Sequence, residues 1–413
     1  MKERINPAIK AHIIRSAFYL FLLLAVCAIP FAFGQWQTRA PSLKNNPPVV
    51  CNQEWQIGAD MPSTGVRMVG VWFWVNEKFY AIGGRSMDGL GNDFVHPFEY
   101  DPASNTWTIK SATFPDNQVS DMACAVLSDS GKSYIYCVGG SAGGQTTATD
   151  RVFRYDPVND SIESIASPWP GDSDGITLPG GFAAFDNNKL YILGGFRINT
   201  GMTNTIWEFT PGTNTWIQKA NMPVARGFIP TISLFDSGLI YTAGGSDWNG
   251  STLVDTNDSF AYDPVADSIT AIPNIPRATA ETRALPFRGA GCIPAIWVLG
   301  GGETPPNPSN EVDIDCAGGW TTGVPFVTAR RNFPTDTDAS AQPFVTSHLW
   351  LAGGYASDGT PLSSMEIFCH SVPTPSEPPG SPTPSPTPTA TATATATRFT
   401  PTPRPRPTPL PRP

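Results

Sequence analysis

The sequence predicts an all-β fold: a six-bladed β-propeller whose ring closes when the N-terminal strand completes the last blade. Two observations carry this. The first is a recurring stretch, Phe79-Tyr80-Ala81-Ile82-Gly83-Gly84, with copies whose glycine pairs begin at 139, 194, 244, 300 and 353. The intervals are 56, 55, 50, 56 and 53 residues. A period near fifty, with a strand running into a Gly pair, marks a propeller array. The second observation is phase. Trp55 precedes the first Gly pair, whereas the last strand, Met365 to Phe368, has no Trp after it. The first strand therefore belongs with the last. Composition agrees: 15% charged residues, 38 Gly and 43 Pro suit many short strands and tight turns.

In chain order, residues 1–34 read as a signal peptide. Lys2, Arg4, Lys10 and Arg15 precede an apolar run from Ser16 to Phe33, and Ala32-Phe33-Gly34 offers a small-x-small cleavage site. An uncleaved anchor is the alternative reading. Residues 35–50 are a polar lead-in, and 51–372 form the propeller. The tail 373–413 holds 15 Pro and 11 Thr in 41 residues, with a Thr-Ala alternation at 389–397. Such a segment cannot bury a core and is expected to be a disordered, extended spacer. The leader and the tail each carry +3, so with −9 overall the middle carries −15. An acidic domain excludes nucleic acid as a partner. The mature chain is expected to be a monomer without a stable membrane span, and secreted, periplasmic or on the cell surface.

Each repeat reads alike: a Trp or Ile, an apolar-Pro pair, often an Arg, a hairpin ending in Gly-Gly, and a strand ending in an aromatic. In the first unit these are Trp55, Met61-Pro62, Arg67, Tyr80, Gly83-Gly84, Tyr100-Asp101-Pro102 and Trp107. Over about residues 51–369 this resembles the kelch-repeat family, in which each repeat forms a four-stranded blade. The repeated aromatics and glycines then read as scaffold: large bodies packing between sheets, and glycines where backbones approach.

Six cysteines lie outside the leader, an even number for an exported chain. Aligning Phe368 with Tyr100 and Trp55 with Trp107 puts Cys369 and Cys51 in one tight turn, so they are expected to pair. Cys124 and Cys137 are symmetric about Ser130-Gly131. Cys292 and Cys316 fall in two turns at one end of a blade. Free thiols are the alternative for the latter two pairs.

No catalytic constellation is found. The four His (His12, His96, His348, His370) make no metal-ligand spacing with another His or Cys, so no metal or cofactor is expected. The Tyr-His dipeptide of the kelch-like galactose oxidases is absent. Asn105-Thr106-Trp107 and Asn214-Thr215-Trp216 only resemble the ends of sialidase boxes. The loop 167–175, with Asp172 and Asp174, reads as solvated rather than as a calcium loop.

A candidate ligand face remains. Arg67, Arg226, Arg283 and Arg331 follow the apolar-Pro loops, and Arg85, Arg197, Asp247 and Glu303 follow Gly pairs. Both sets are expected on one face, around the channel mouth, where arginines would suit carboxylates or acidic sugars. The expected function is a non-catalytic module binding a protein or glycan there. The alternatives are an enzyme similar to the kelch-family periplasmic sialic-acid epimerases (mutarotases), with Glu303 as acid–base group, and a purely structural surface module.

Overall fold

The computed structural model describes residues 51, 53–289, 292–339 and 347–370. Their strands are short, rich in β-branched and aromatic residues, and joined by hairpins whose turn residues accept positive φ. Ser130 and Gly131, at φ 52° and 79°, turn one of these hairpins, as right-handed strand twist favours. The strands assemble into six four-stranded antiparallel sheets. Blade one comprises Val69–Phe73, Lys78–Ile82, Phe98–Asp101 and Thr106–Ile109. Blade two comprises Ala123–Asp129, Lys132–Val138, Val152–Asp156 and Ser161–Ile165. Blade three follows with Thr177–Phe185, Lys189–Arg197, Gly201–Thr210 and Thr215–Gln218. Blade four is Thr231–Leu234, Leu239–Trp248, Leu253–Asp263 and Ser268–Ile272, and blade five Ala284–Gly289, Cys292–Gly301, Ser309–Cys316 and Gly319–Thr322.

Blade six takes three strands from one end of the domain, Thr335–Thr337, Ser347–Ala352 and Met365–His370, and its outer strand, Trp55–Gly58, from the other. Trp55 pairs with Phe368 in the register that joins Trp107 to Tyr100 in blade one. Cys51 and Cys369 are disulfide-bonded, with Cα atoms 5.0 Å apart. Cys124 and Cys137 face each other across a hairpin and are bridged, with Cα atoms 4.2 Å apart. Cys316 is disulfide-bonded, and the side chain of Cys292 lies outside the described residues. Apart from two 3₁₀ turns, at Pro170–Asp172 and Phe235–Ser237, the described residues hold no helix. None is therefore long and apolar enough to cross a membrane. The expected signal peptide, the lead-in and the tail lie outside the described residues.

The core sits between blades, where sheet faces stack. Tyr80, Tyr136, Tyr155, Tyr191 and Tyr262 are all buried there. Polar atoms on these aromatics tie blade to blade. The outer-strand indoles donate to carbonyls in the preceding repeat: Trp55 to Val324 at 2.8 Å, Trp107 to Ala59 at 2.9 Å, Trp216 to Ser167 at 3.2 Å and Trp320 to Pro273 at 2.9 Å. Tyr100, Tyr155 and Tyr262 donate to Asn105, Asp160 and Asp267, left-handed turn residues at φ 52°, 49° and 51°. Those same side chains accept backbone N–H groups of the flanking repeat. The two sialidase-like fragments thus hold turn and inter-blade positions.

The Gly pairs mark the closest approach of neighbours. Gly84 donates to Val119, Gly195 to Arg226, Gly245 to Thr279 and Gly354 to Gly65, at 2.7 to 2.9 Å. At Gly194, φ is +64° and a Cβ would lie 2.2 Å from the Arg226 carbonyl oxygen, so only glycine fits. Arginines cap the same corners: Arg151, Arg277 and Arg330 donate to the carbonyls of Gly139, Gly300 and Gly353. The loop before blade three is not solvated throughout. Asp172 is buried and accepts the Thr177 N–H at 2.6 Å.

Candidate functional site

The first strands of the blades pack against one another and line a central channel. Just before these strands, five blades place a non-glycine residue in left-handed backbone: Arg67, Asp121, Phe228, Glu281 and Asn332, at φ 48° to 58°. Their main chains form a relay. Asp121 N–H donates to Arg67, Arg67 to Asn332, Asn332 to Glu281 and Glu281 to Phe228, at 2.7 to 3.1 Å. Backbone of this kind is costly unless its surroundings hold it, and it concentrates at ligand sites. All five residues line one cavity at the channel mouth, of about 70 Å3.

Arginines and acids interlock at this mouth. Arg67 grips Asp88 with two bonds, 3.2 and 3.1 Å, and Asp121 with a third at 3.0 Å. Arg331 bonds Glu281 at 2.5 Å and lies 3.7 Å from Glu303. The Tyr355 ring packs against both guanidinium groups, 5.8 Å from Arg67 and 4.8 Å from Arg331. Burial pulls the Arg67 pKa down, but Asp121 and Asp88 outweigh it and hold the group above its ordinary range. Burial pushes the Asp121 carboxyl up to about 6 against the Arg67 charge, with Glu281 adding to the rise. Glu303 is raised by burial and by Glu281, with Arg331 opposing. Asp88 is lowered, because Arg67 outweighs its partial burial.

Arg283 enters from blade five and crosses the channel. It lies 4.2 Å from the Phe182 ring of blade three and points Nη1 at the Gly70 carbonyl of blade one, at 3.5 Å. Among the described residues no carboxylate is within ion-pair distance of it. Burial lowers its pKa, opposed by Asp336 of blade six. The other candidates lie outside the cavity lining, on the loops around it. Arg226 is held by Asp258 at 2.9 Å and by Asp247 at 3.6 Å. Arg85 is buried against the Gly91 carbonyl, 3.7 Å from Asp93, and Arg197 pairs with Asp174.

The four arginines expected at one repeat position are therefore staggered. Arg67 sits on the left-handed ring, Arg331 one residue before Asn332, Arg226 two before Phe228 and Arg283 two after Glu281. Of the eight candidates, the structure gathers Arg67, Arg331, Glu303 and Arg283. Asp88, Asp121, Glu281 and Tyr355 escaped sequence reading; the signal of Asp121 and Glu281 is their offset of two and three residues from the next strand, and that of Tyr355 is its place directly after a Gly pair.

The Asp121 shift has a measurable consequence. Its folded pKa lies above the unfolded value of about 3.9, so the folded state binds the extra proton and stability falls as pH rises from about 4 to about 6. Asp121→Asn should flatten that slope, read as melting temperature against pH. An unchanged slope would remove Asp121 from the account.

A six-bladed ring closed by its own N-terminal strand, with a charged loop face around a narrow channel, defines a closed repeat propeller. The chain carries kelch repeats and is similar to the kelch-repeat family. The Kelch motif model matches residues 124–167 and 180–223. Kelch-like protein 35 of Mus musculus is 29% identical over 226 residues, 54% of this chain and 33% of that protein. Kelch-like protein terF of Aspergillus terreus is 24% identical over 242 residues, 56% of this chain and 50% of that one. The chain thus spans a third to a half of these relatives' length. The solved structure of YjhT matches with a TM-score of 0.55 at 15% identity, over 75% of this chain and 96% of that one, a likeness of fold.

Proposed function

We propose that the protein is an exported, non-catalytic binding module that engages a protein partner with the loop face around the channel mouth. The observation that carries this is the obstructed mouth. Arg283 crosses the channel there, and the cavity at the mouth, about 70 Å3, is well below the 300 Å3 or so of small-molecule sites. A protein partner needs a broad rim instead. The blade-one rim loop offers one, with Leu90 and Met87 exposed on either side of Asp88. Export rests on the leader and on the disulfides, which persist in oxidising compartments.

The test is a parallel protein and glycan array with the full chain. Protein ligands are expected, and Leu90→Asp, at a 95% exposed position, should weaken them about tenfold or more, as for an interface anchor. Glycan binding lost in Arg67→Ala and Arg283→Ala would instead move the ligand into the channel.

One observation favours the epimerase reading: Asp121 and Glu303, both raised by burial, sit beside Arg67 and Arg331, and shifted carboxyls suit acid–base work. Anomer exchange of sialic acid, followed by NMR, separates the two. The binding module leaves the exchange rate unchanged, and acceleration abolished by Glu303→Gln establishes the enzyme.

A further inference from the structure

We propose that the basic end of this chain's own tail, Arg398 to Arg412, docks in cis on the acidic rim of the channel mouth. The proposal rests on reading that face as the binding face. The rim charges are layered. The side chains of Asp88, Asp174, Asp247 and Glu303 are 43 to 53% exposed, whereas those of Arg67, Arg226 and Arg331, which pair with three of them, are 10 to 17% exposed. In these three pairs the cation lies inside and its carboxylate looks out; at the fourth, Arg197 is 39% exposed beside Asp174. Asp121, Asp258 and Glu281 add negative charge behind them. A visiting chain therefore meets acid, and the fitting ligand is cationic rather than carboxylate-bearing.

One further group points to a ligand. The Asn332 amide nitrogen, on a residue 7% exposed that lines the mouth, has no hydrogen-bond partner. Tyr355 packs against the two arginines there, with its hydroxyl beside Asp88. The Asn332 amide can donate, so the fitting backbone is rich in free acceptors. A proline-rich segment is such a backbone: it lacks N–H groups at each proline and leaves its carbonyls unbonded.

The tail joins both properties. It carries Arg398, Arg404, Arg406 and Arg412, no acid after Glu377, and prolines alternating with most residues from Pro401 to Pro413. It also reaches. The strand Met365–His370 runs away from the mouth, since Leu362 bonds Gly354 beside the mouth while His370 pairs with Ser347 at the far end. The 28 residues from His370 to Arg398 span about 87 Å in extended polyproline form. The domain is about 50 Å across. Individually weak surface charge pairs suffice, because the tether supplies an effective concentration near millimolar.

The tail offers trypsin one bond, Arg398–Phe399, because its other arginines precede proline. Cleavage of the full chain is compared with that of a synthetic 390–413 peptide at about 50 and about 500 mM NaCl, which brackets strong and weak screening. Docking predicts cleavage about fivefold or more slower than the peptide at low salt, converging at high salt. It also predicts peptide-like cleavage at both salts in a triple variant, Asp174→Asn with Asp247→Asn and Glu303→Gln. Cleavage at the peptide rate at low salt overturns the proposal, and so does protection that survives the triple variant. Protection that grows with protein concentration assigns the rim to a second copy and overturns docking in cis. Loss of array ligands in the triple variant with tail cleavage at the peptide rate keeps the binding face and rejects the tail.

Discussion

Replacing Arg330 by alanine is expected to lower stability by about 3–5 kcal/mol, the range for breaking a buried ion pair. Arg330 and Glu366 are 0 and 1% exposed and lie 2.7 Å apart. The arginine also bonds the carbonyls of Thr328, Gly353 and Ser364. Glu366 in turn accepts the Val327 and Thr328 N–H groups at 2.6 and 3.0 Å. This cluster fastens the loop entering blade six to that blade's third strand, at the blade that joins both ends of the domain. Alanine would strand a buried carboxylate and three carbonyls at once, and the loss of the paired charge dominates. Urea unfolding measures the effect. A loss under about 1 kcal/mol would show that water or relaxation replaces the arginine. The double variant Arg330→Met with Glu366→Leu, which removes both charges, should recover much of the loss.

What the sequence revealed and what it hid divide along a physical line. The Gly pairs and outer Trp residues recur because each blade repeats the same contacts with its neighbour. Gly194 must be glycine against Arg226, and Trp107 must reach Ala59. These constraints are local and periodic, so they survive as spacing. The closure of blade six was legible for the same reason, since Trp55 stands to Phe368 as Trp107 stands to Tyr100. The mouth follows no such rule. Arg226 lies five residues before its blade's first strand, Arg331 four, Arg67 two and Arg283 one. Aligning them by residue type put them on one ring, whereas the loops set them at different depths. Two of the acid partners come from other approach loops: Arg67 meets Asp121 of the next one, 54 positions on, and Arg331 meets Glu281, 50 positions back. These separations match the repeat, but the residue types that fill the positions change from blade to blade, so a reading built on recurring residues misses them. The excess carboxylate of the middle of the chain was visible as net charge, but its display on the rim was not.

Opening the ring-closing disulfide with Cys51→Ser and Cys369→Ser is expected to be about as costly, for a different reason. The bond spans 318 residues, and the chain-entropy account assigns roughly 5–6 kcal/mol to a loop of that length, an upper figure because residual structure in the unfolded chain reduces it. The native state offers a reason to expect a loss near the top of the usual 2–5 kcal/mol range. A propeller leaves only short, protected sheet edges, and only while its last blade is complete. The strand Trp55–Gly58 is four residues long, held by its pairing with Met365–Phe368, by the Trp55 indole on Val324 and by the Trp55 ring between Phe326 and Phe368. Without the bridge that strand frays as an ordinary chain end. Fraying uncovers the edge of Met365–His370 and the apolar side chains beneath it. Hydrogen exchange should therefore report two changes in the serine variant: a lower global unfolding free energy, and fast exchange confined to 55–58 and 365–370 under native conditions. By contrast, Cys124→Ser with Cys137→Ser removes a bridge across a separation of only 13 residues and should cost less, with no exchange change in blade six. Equal losses from the two bridges, or even exchange across all six blades, would mean that the ring is held by its six inter-blade faces and that the disulfide is incidental to closure.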